Sequence, residues 1–164
     1  MTETQIKLRD AATQMKLALK NNDNEDILRS CINSYISFAR SVTFIMQKES
    51  AQYPQLLSWY EGKMEKLRQL PLLKFFNAQR VHSIHKGNIS PIQQSTRIWD
   101  IQYGTKKMPG EGIMTVWLFD EIEQFIPGDS GNVFRLCEQY FLILKQLVHE
   151  WLQEKTKMEA AENE

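Results

Sequence analysis

The amino-acid sequence predicts a mainly α fold, an up-and-down bundle of four or five helices with one inserted β-hairpin. Apolar residues recur at helical spacing through most of the chain. Between about 96 and 120 this period disappears, and two runs rich in β-branched and aromatic residues flank a turn-forming linker. The 164 residues therefore predict one helical domain over 1–157, followed by a frayed, charged tail over 158–164.

The first two helices are predicted at about 4–20 and 25–48. Thr2 and Gln5 can form a capping box at the start of the first helix. The polar run 21–24 separates the two helices and offers N-caps for the second. That second helix carries a broad apolar stripe, made of Leu28, Cys31, Ile32, Tyr35, Phe38, Ala39, Val42, Ile45 and Met46. So broad a stripe predicts a central helix that packs on more than one side.

Two further helices are predicted before the change of pattern. Pro54 suits the first turn of the third helix. Pro71 either kinks that helix or begins a separate fourth helix, which would extend to about residue 86. Gly87 and Asn88, with Pro91 shortly after them, indicate where the fourth helix ends.

The predicted hairpin has strands at 97–103 and 113–119, and residues 104–112 form the turn between them. The second strand is apolar on both faces, so we expect both faces to be covered, for example by the bundle and by a partner chain. Asp129 and Ser130 are the predicted cap of a last helix over 132–157.

Composition and charge exclude several classes of protein. Twenty lysines and arginines balance twenty aspartates and glutamates, which argues against a general electrostatic grip on nucleic acid but leaves room for a local basic patch. Nothing in the sequence indicates DNA binding. Cys31 and Cys137 lie in apolar helical patterns, so we expect buried free thiols. The N-terminus lacks signal-peptide character and no apolar run could span a bilayer, so we expect a cytoplasmic protein without membrane contact.

Glycine-rich phosphate loops, nucleophile elbows and carboxylate-rich metal loops are absent from the sequence. The segment best suited to chemistry is the predicted helix end from Arg80 to His85. Arg80 shares the apolar face of Phe76 and Ile84, and His82 and His85 lie in the last turns. In a purely structural interpretation, the arginine extends from the core edge or pairs with a buried acid. The histidines then stabilise the negative end of the helix dipole.

A chemical interpretation is also open. Histidine titrates near neutrality, and arginine is a permanent, forked partner for phosphate. His85 could deprotonate a ribose 2′-hydroxyl while Arg80 stabilises the charge that develops on the phosphate, which would cleave RNA without a metal. His82 and Arg40, the latter beside the apolar stripe of the second helix, are secondary candidates. On an ideal helix Arg80 and His85 point about 140° apart, so they converge only if the helix end unwinds or a second subunit completes the site.

His82 and His85 could instead bind one metal ion, because they lie three residues apart. A zinc site needs three or four protein ligands, and the distant His149 is the one further histidine that could contribute. The sequence therefore predicts neither a metal nor another cofactor.

Arg80, four intervening residues and His85 resemble the arginine–histidine motif of the HEPN superfamily (higher eukaryotes and prokaryotes nucleotide-binding), which has four to six residues between the two. Segment 37–49 looks like the helix that precedes this motif in uncharacterised bacterial members, and the resemblance covers about the first ninety residues. It implies a four- or five-helix bundle, often a homodimer in which the motifs of both chains face one cleft. Many members are metal-independent endoribonucleases of toxin–antitoxin or phage-defence systems. The resemblance then implies that Arg80 stabilises phosphate and that His85 is the catalytic histidine.

Two functional classes follow from these observations. Active HEPN members usually place a polar residue directly after the arginine, where this chain has Val81, and other members are binding or scaffold domains. Val81, the balanced charge and the aromatics expected at the hairpin surface (Trp99 and Trp117) favour an interaction module that binds RNA or a protein. The alternative is a metal-independent endoribonuclease with Arg80 and His85 of two chains in a dimer cleft.

Overall fold

The computed structural model describes residues 1–85, 87, 89, 91–103 and 106–161, with the backbone alone described at 84, 96–103 and 106–114. Its helices are α1 (Glu3–Lys20), α2 (Glu25–Ser50), α3 (Pro54–Leu67), α4 (Pro71–His85) and α5 (Val133–Ala161). Strands β1 (Ile92–Tyr103) and β2 (Lys106–Leu118) form an antiparallel pair between α4 and α5, followed by a short 3-10 helix (Asp120–Gln124). The predicted fold class, a mainly α bundle with an inserted hairpin, is confirmed.

The helix starts follow local capping chemistry. Thr2 Oγ1 accepts a hydrogen bond from Gln5 N at 3.2 Å, and Gln5 Oε1 accepts one from Thr2 N at 2.8 Å, which is the predicted capping box. Asn24 Oδ1 accepts from Ile27 N at 3.1 Å and caps α2. Pro71 begins a separate helix and does not kink α3, because the chain leaves helical conformation before it.

Helix α2 is the centre of the bundle, as its broad stripe predicts, and it contacts each of the four other helices. Its fully buried side chains are Leu28, Ile32, Tyr35, Ala39, Val42 and Met46. Each large apolar side chain of this kind contributes about 1.5–3 kcal/mol on burial. The core therefore fixes the direction of α2 and, with it, the polar residues on the neighbouring face.

An aromatic cluster joins α4 to α5 and to the segment after β2. The rings of Phe76 and Tyr140 stack with centroids 4.4 Å apart, and Phe75 meets Phe119 edge to face at 5.1 Å. Tyr35 Oη donates a hydrogen bond to the Cys137 carbonyl at 2.6 Å. Because these rings are buried, α4 is held firmly against the core along its apolar face.

The hairpin strands are longer than predicted. The predicted turn, 104–112, lies largely within β2, and the residues between the strands, 104–105, fall outside the described residues. Ile98 pairs with Gly112 and Asp100 pairs with Pro109, so one residue of β1 faces two of β2. Such a bulge accommodates a proline within a strand, which explains why turn-like residues here continue the ladder.

Two side chains anchor the ends of the insertion to the bundle. Trp117 is buried, and its Nε1 donates to the Asn22 carbonyl at 2.8 Å. The expectation that Trp117 is an exposed recruiting aromatic is therefore wrong, while the Trp99 side chain lies outside the described residues. At the other end, Asn33 Oδ1 accepts from Ile89 N and Asn33 Nδ2 donates to Ile89 O, both at 2.9 Å.

The start and end of α5 differ from the prediction. Asn132 Oδ1 accepts from Arg135 N at 3.0 Å, so Asn132 is the cap in place of the predicted Asp129–Ser130 pair. Asp129 instead forms an ion pair with Arg135. Helix α5 continues to Ala161 because Met158 still packs against the core. The tail predicted over 158–164 is thus helical to 161, and 162–164 lie outside the described residues.

Both cysteines, Cys31 and Cys137, are buried and free, as predicted. Burial raises the pKa of the Cys137 thiol, which keeps it protonated and unreactive. Among the residues that the structure describes, none of the helices combines the length and the apolar character needed to cross a membrane.

Candidate functional site

Arg80 lies in α4 and lines a cavity of about 290 Å³ between α2 and α4. The cavity is lined by two arginines, three serines and two apolar side chains: Arg40, Arg80, Ser37, Ser41, Ser83, Ile36 and Phe44. We call this set the Arg40–Arg80 cavity. Its polar groups are guanidinium and hydroxyl groups. Ser41 Oγ donates to the Ser37 carbonyl and Ser83 Oγ donates to Asn33 Oδ1, so the guanidinium groups supply most of the donors that a ligand could use.

Arg80 is half-buried, and no carboxylate oxygen of the described residues lies within the 4.0 Å that defines an ion pair with it. The interpretation in which Arg80 pairs with a buried acid is therefore wrong for the described part of the chain. Its neighbour Gln79 is buried and donates to Glu121 at 3.3 Å, so this acid is bound by Gln79 and forms no ion pair with Arg80. Arg80 thus reaches the cavity with its charge uncompensated by the described acids.

Arg40 is also half-buried, and its charge lies beside the aromatic core. Arg40 Nη1 donates to Thr43 Oγ1 at 3.0 Å, whereas Arg40 Nε is buried without a hydrogen-bond partner among the described residues. A buried unsatisfied donor typically costs about 1–3 kcal/mol. Burial raises the pKa of Tyr140 to about 12, and the nearby positive charge of Arg40 opposes that rise. Arg40 therefore brings a cation to the edge of the cavity and leaves one buried donor without a partner among the described residues.

His85 does not join the two arginines. It is exposed at the last residue of α4, and it lines neither the Arg40–Arg80 cavity nor the adjoining cavity that Arg40 also lines. Helix α4 keeps its α-helical conformation up to His85, so the angle of about 140° between Arg80 and His85 is preserved. His82 is half-buried and likewise outside both cavities. The structure therefore brings Arg80 together with Arg40, and only a second chain could bring a His85 to Arg80.

His82 and His85 do not form part of a larger set of metal ligands among the described residues. Within the described residues, no group of three or more histidine, cysteine, aspartate or glutamate side chains is arranged to hold one. His82 and His85 thus have no third ligand there, and a pair of imidazoles alone does not make a zinc site.

The three serines of the cavity were not singled out from the sequence. Ser37, Arg40, Ser41 and Phe44 are spaced by three and four residues, and Arg80 and Ser83 by three. Residues at these spacings share one face of a helix, so each half of the cavity has a recognisable pattern. What the patterns do not reveal is that these faces of α2 and α4 meet, since this depends on the packing of the aromatic core.

The chain belongs to the family of the bacteriophage lambda protein ea47, whose family model matches residues 2–94. This match contains α1 to α4 and every arginine and histidine considered above except Arg135 and His149. The chain matches no curated protein and no solved structure. Membership of the HEPN superfamily stays a prediction.

Proposed function

We propose that this member of the ea47 family is a HEPN-like binding module that holds phosphates of RNA in the Arg40–Arg80 cavity. The observation that carries the proposal is the pairing of two arginines with three serines in one cavity that no described carboxylate lines. Phosphate oxygens accept hydrogen bonds from guanidinium groups, whose positive charge strengthens the contact. A balanced overall charge is compatible with this function because the cations are concentrated locally.

A binding role fits the position of the neighbouring residues better than catalysis within one chain. A general base must come within hydrogen-bond reach of the proton that it removes. His85 leaves the helix on a different side from Arg80, and the residue after the arginine is the exposed Val81 in place of a polar group. In the proposed function, a single chain therefore supplies groups that contact phosphate, but it places no general base next to them.

Fluorescence anisotropy with a labelled single-stranded RNA tests this proposal. We expect Arg80→Ala to weaken RNA binding about tenfold, because a charge-assisted phosphate contact contributes about 1.5–3 kcal/mol. The matched control is Arg9→Ala, which removes an exposed arginine of α1 that forms no ion pair among the described residues. Absence of RNA binding by the unaltered chain would contradict the proposal, and so would an equal loss in both variants.

The second candidate function is a metal-independent endoribonuclease in a homodimer. It is favoured by the exposure of His85 at the very end of α4, where a second chain can approach it, and by the uncompensated Arg80. In such a dimer, Arg80 of one chain and His85 of the other would face the same RNA phosphate. His85 would take the 2′-hydroxyl proton as the 2′-oxygen attacks phosphorus, and Arg80 would stabilise the phosphate charge. The bond to the 5′-oxygen then breaks, and that oxygen takes a proton from water, which leaves a 2′,3′-cyclic phosphate and a 5′-hydroxyl.

A complementation assay distinguishes this enzyme from a binding module. RNA is incubated in the presence of a chelator with one of three samples. These are the Arg80→Ala protein, the His85→Ala protein, and an equal mixture of the two that has been unfolded and refolded together. In a shared site each variant alone is inactive, while mixed dimers contain one intact site and recover up to about a quarter of the original activity. Products should end in a cyclic phosphate. Activity that survives in a chain carrying both Arg80→Ala and His85→Ala would rule out these residues as the catalytic pair.

The biological setting that we propose is the cytoplasm of a host cell, in a toxin–antitoxin or phage-defence context. The supporting observation is that the family is named for a bacteriophage lambda protein. Expression of the chain in a host without any antitoxin separates the two functions. Growth arrest that requires both Arg80 and His85 favours the ribonuclease, and normal growth at high expression favours the binding module.

A further inference from the structure

A second cavity, of about 370 Å³, adjoins the Arg40–Arg80 cavity and shares Arg40 and Ile36 with it. It lies where α2, the end of α3 and α4 meet. Arg68, the C-cap of α3, and Lys74 and Asn77 of α4 form its exposed rim. We call it the Arg68–Lys74 cavity.

The base of the Arg68–Lys74 cavity is apolar. The buried rings of Phe76 and Tyr140, already stacked on each other, lie beneath the charged rim, together with Met64. The phenol of Tyr140 is neutral at physiological pH and adds no negative charge, and burial raises its pKa further, to about 12. A ligand held here would meet cations at one end and apolar surface at the other.

Three cations from separate parts of the chain converge on this cavity, and no aspartate or glutamate lines it. Arg40, Arg68 and Lys74 form no ion pair with any described carboxylate, although the chain contains as many acidic as basic residues. Like charges held close together repel one another, and a multivalent anion between them removes that repulsion. The charge pattern therefore selects for an anion with more than one negative charge.

Arg40 provides an independent indication. Its Nη1 is held by Thr43, while its Nε is buried and unsatisfied among the described residues. A native buried donor without a partner calls for a physical explanation, of which an absent ligand is one. An anion that draws the guanidinium toward the cavity would let this donor be satisfied.

We propose that the Arg68–Lys74 cavity binds a terminal phosphate monoester, with the attached nucleoside resting on the apolar base. A monoester carries close to two negative charges and three acceptor oxygens at neutral pH, which matches three converging cations better than a phosphodiester does. The cavity volume falls in the range of pockets for small molecules. The phosphate can belong to a free nucleoside monophosphate or to the 5′ end of an RNA chain. This inference uses Arg68 and Lys74, which the proposed function does not use, so it can succeed or fail separately.

Two pairs of probes test the inference on the full chain. The first pair is adenosine monophosphate against adenosine, measured by calorimetry. The second is one RNA with a 5′-phosphate against the same RNA with a 5′-hydroxyl, measured by anisotropy. We expect the phosphorylated member of at least one pair to bind about tenfold more tightly. A gain limited to the RNA pair assigns the cavity to RNA ends, and a gain in both assigns it to the phosphate monoester itself.

The variants Arg68→Ala and Lys74→Ala should each remove most of this gain. Both side chains are exposed, so neither change should affect folding. Lys16→Ala, at an exposed lysine of α1, is the matched control and should keep the gain. The inference is overturned if the phosphate changes affinity in neither pair, or if the control loses the gain equally. Binding of the 5′-hydroxyl RNA, and its loss in Arg80→Ala, measures the proposed function separately.

Discussion

Asn33 shows how a single side chain positions the end of α4 and the candidate cavity beside it. Its amide makes two hydrogen bonds with the backbone of Ile89 and accepts a third from Ser83 Oγ at 3.2 Å. Ser83 lines the Arg40–Arg80 cavity, so the same amide connects the segment after α4 to a residue of the site. Asn33 is half-buried, where lost hydrogen bonds are not fully replaced by water.

We predict that Asn33→Ala lowers the free energy of unfolding by about 2–3 kcal/mol, since the backbone N–H and C=O of Ile89 lose their partner. Urea unfolding followed by circular dichroism measures this change. Asn77→Ala, at an exposed position of α4 whose side chain forms no hydrogen bond with a described residue, is the control and should change stability little. Equal stability of both variants would mean that Asn33 does not secure this segment.

Asp129 gives a prediction of pH dependence. The hydrogen bond from Arg135 holds the pKa of the Asp129 carboxyl below its ordinary value, against the opposing effect of burial. Because the folded-state pKa is the lower one, the stabilisation is fully present above the carboxyl's ordinary pKa. It is lost as the pH falls through the folded-state pKa.

We therefore predict that Asp129→Asn is less stable than the unaltered chain near neutral pH and that the difference shrinks on acidification. Thermal unfolding between about pH 6 and about pH 2 covers the titration of an aspartate in this position. A stability difference that stays constant over this range would show that the ion pair with Arg135 does not contribute.

At the scale of elements, the helices could be predicted well and the hairpin less well. The position of α2 follows from an apolar stripe over about five turns, from Leu28 to Met46, a signal that local substitutions do not obscure. The limits of β1 and β2 depend on cross-strand pairing and on a bulge between the pairs of Ile98 and Asp100, which no local pattern encodes. The predicted cap of α5 lies two to three residues too early because Asp129, Ser130 and Asn132 are all good caps.

Trp117 tests how the hairpin is attached to the bundle. We predict that Trp117→Ala lowers the free energy of unfolding by about 3–5 kcal/mol, because it removes a buried ring as well as the hydrogen bond to Asn22. Trp117→Phe keeps much of the ring volume and should cost less. If both variants unfold at the same denaturant concentration as the unaltered chain, the hairpin is not anchored through this residue.

The candidate site could be predicted only in part, for a similar reason. Arg80 stands out in sequence as a charge on an apolar stripe, and Arg40 lies beside a second stripe. Arg68 and Lys74 belong to ordinary charged surfaces, and only the packing of α3 against α2 and α4 places them at one cavity. The proposed role of His85 follows from the chemistry of histidine and from the resemblance, and the continuous helix shows that one chain does not bring it to Arg80.

For the whole molecule, the balance of charges conceals a local asymmetry. The ion pairs of the described residues use other basic residues, and Arg40, Arg68, Lys74 and Arg80 are left to line two adjoining cavities. Net charge describes long-range attraction, whereas phosphate binding depends on where the cations lie. A neutral composition is therefore compatible with the local phosphate binding that we propose.

The central claim, that Arg80 contacts RNA phosphate, is tested most directly by the salt dependence of RNA affinity. For a single strand, the slope of log affinity against log salt concentration changes by about 0.7 for each phosphate that the protein neutralises. We predict that Arg80→Ala makes the slope shallower by about this amount, while Arg9→Ala leaves it unchanged. The same slope in Arg80→Ala as in the unaltered chain would contradict the claim.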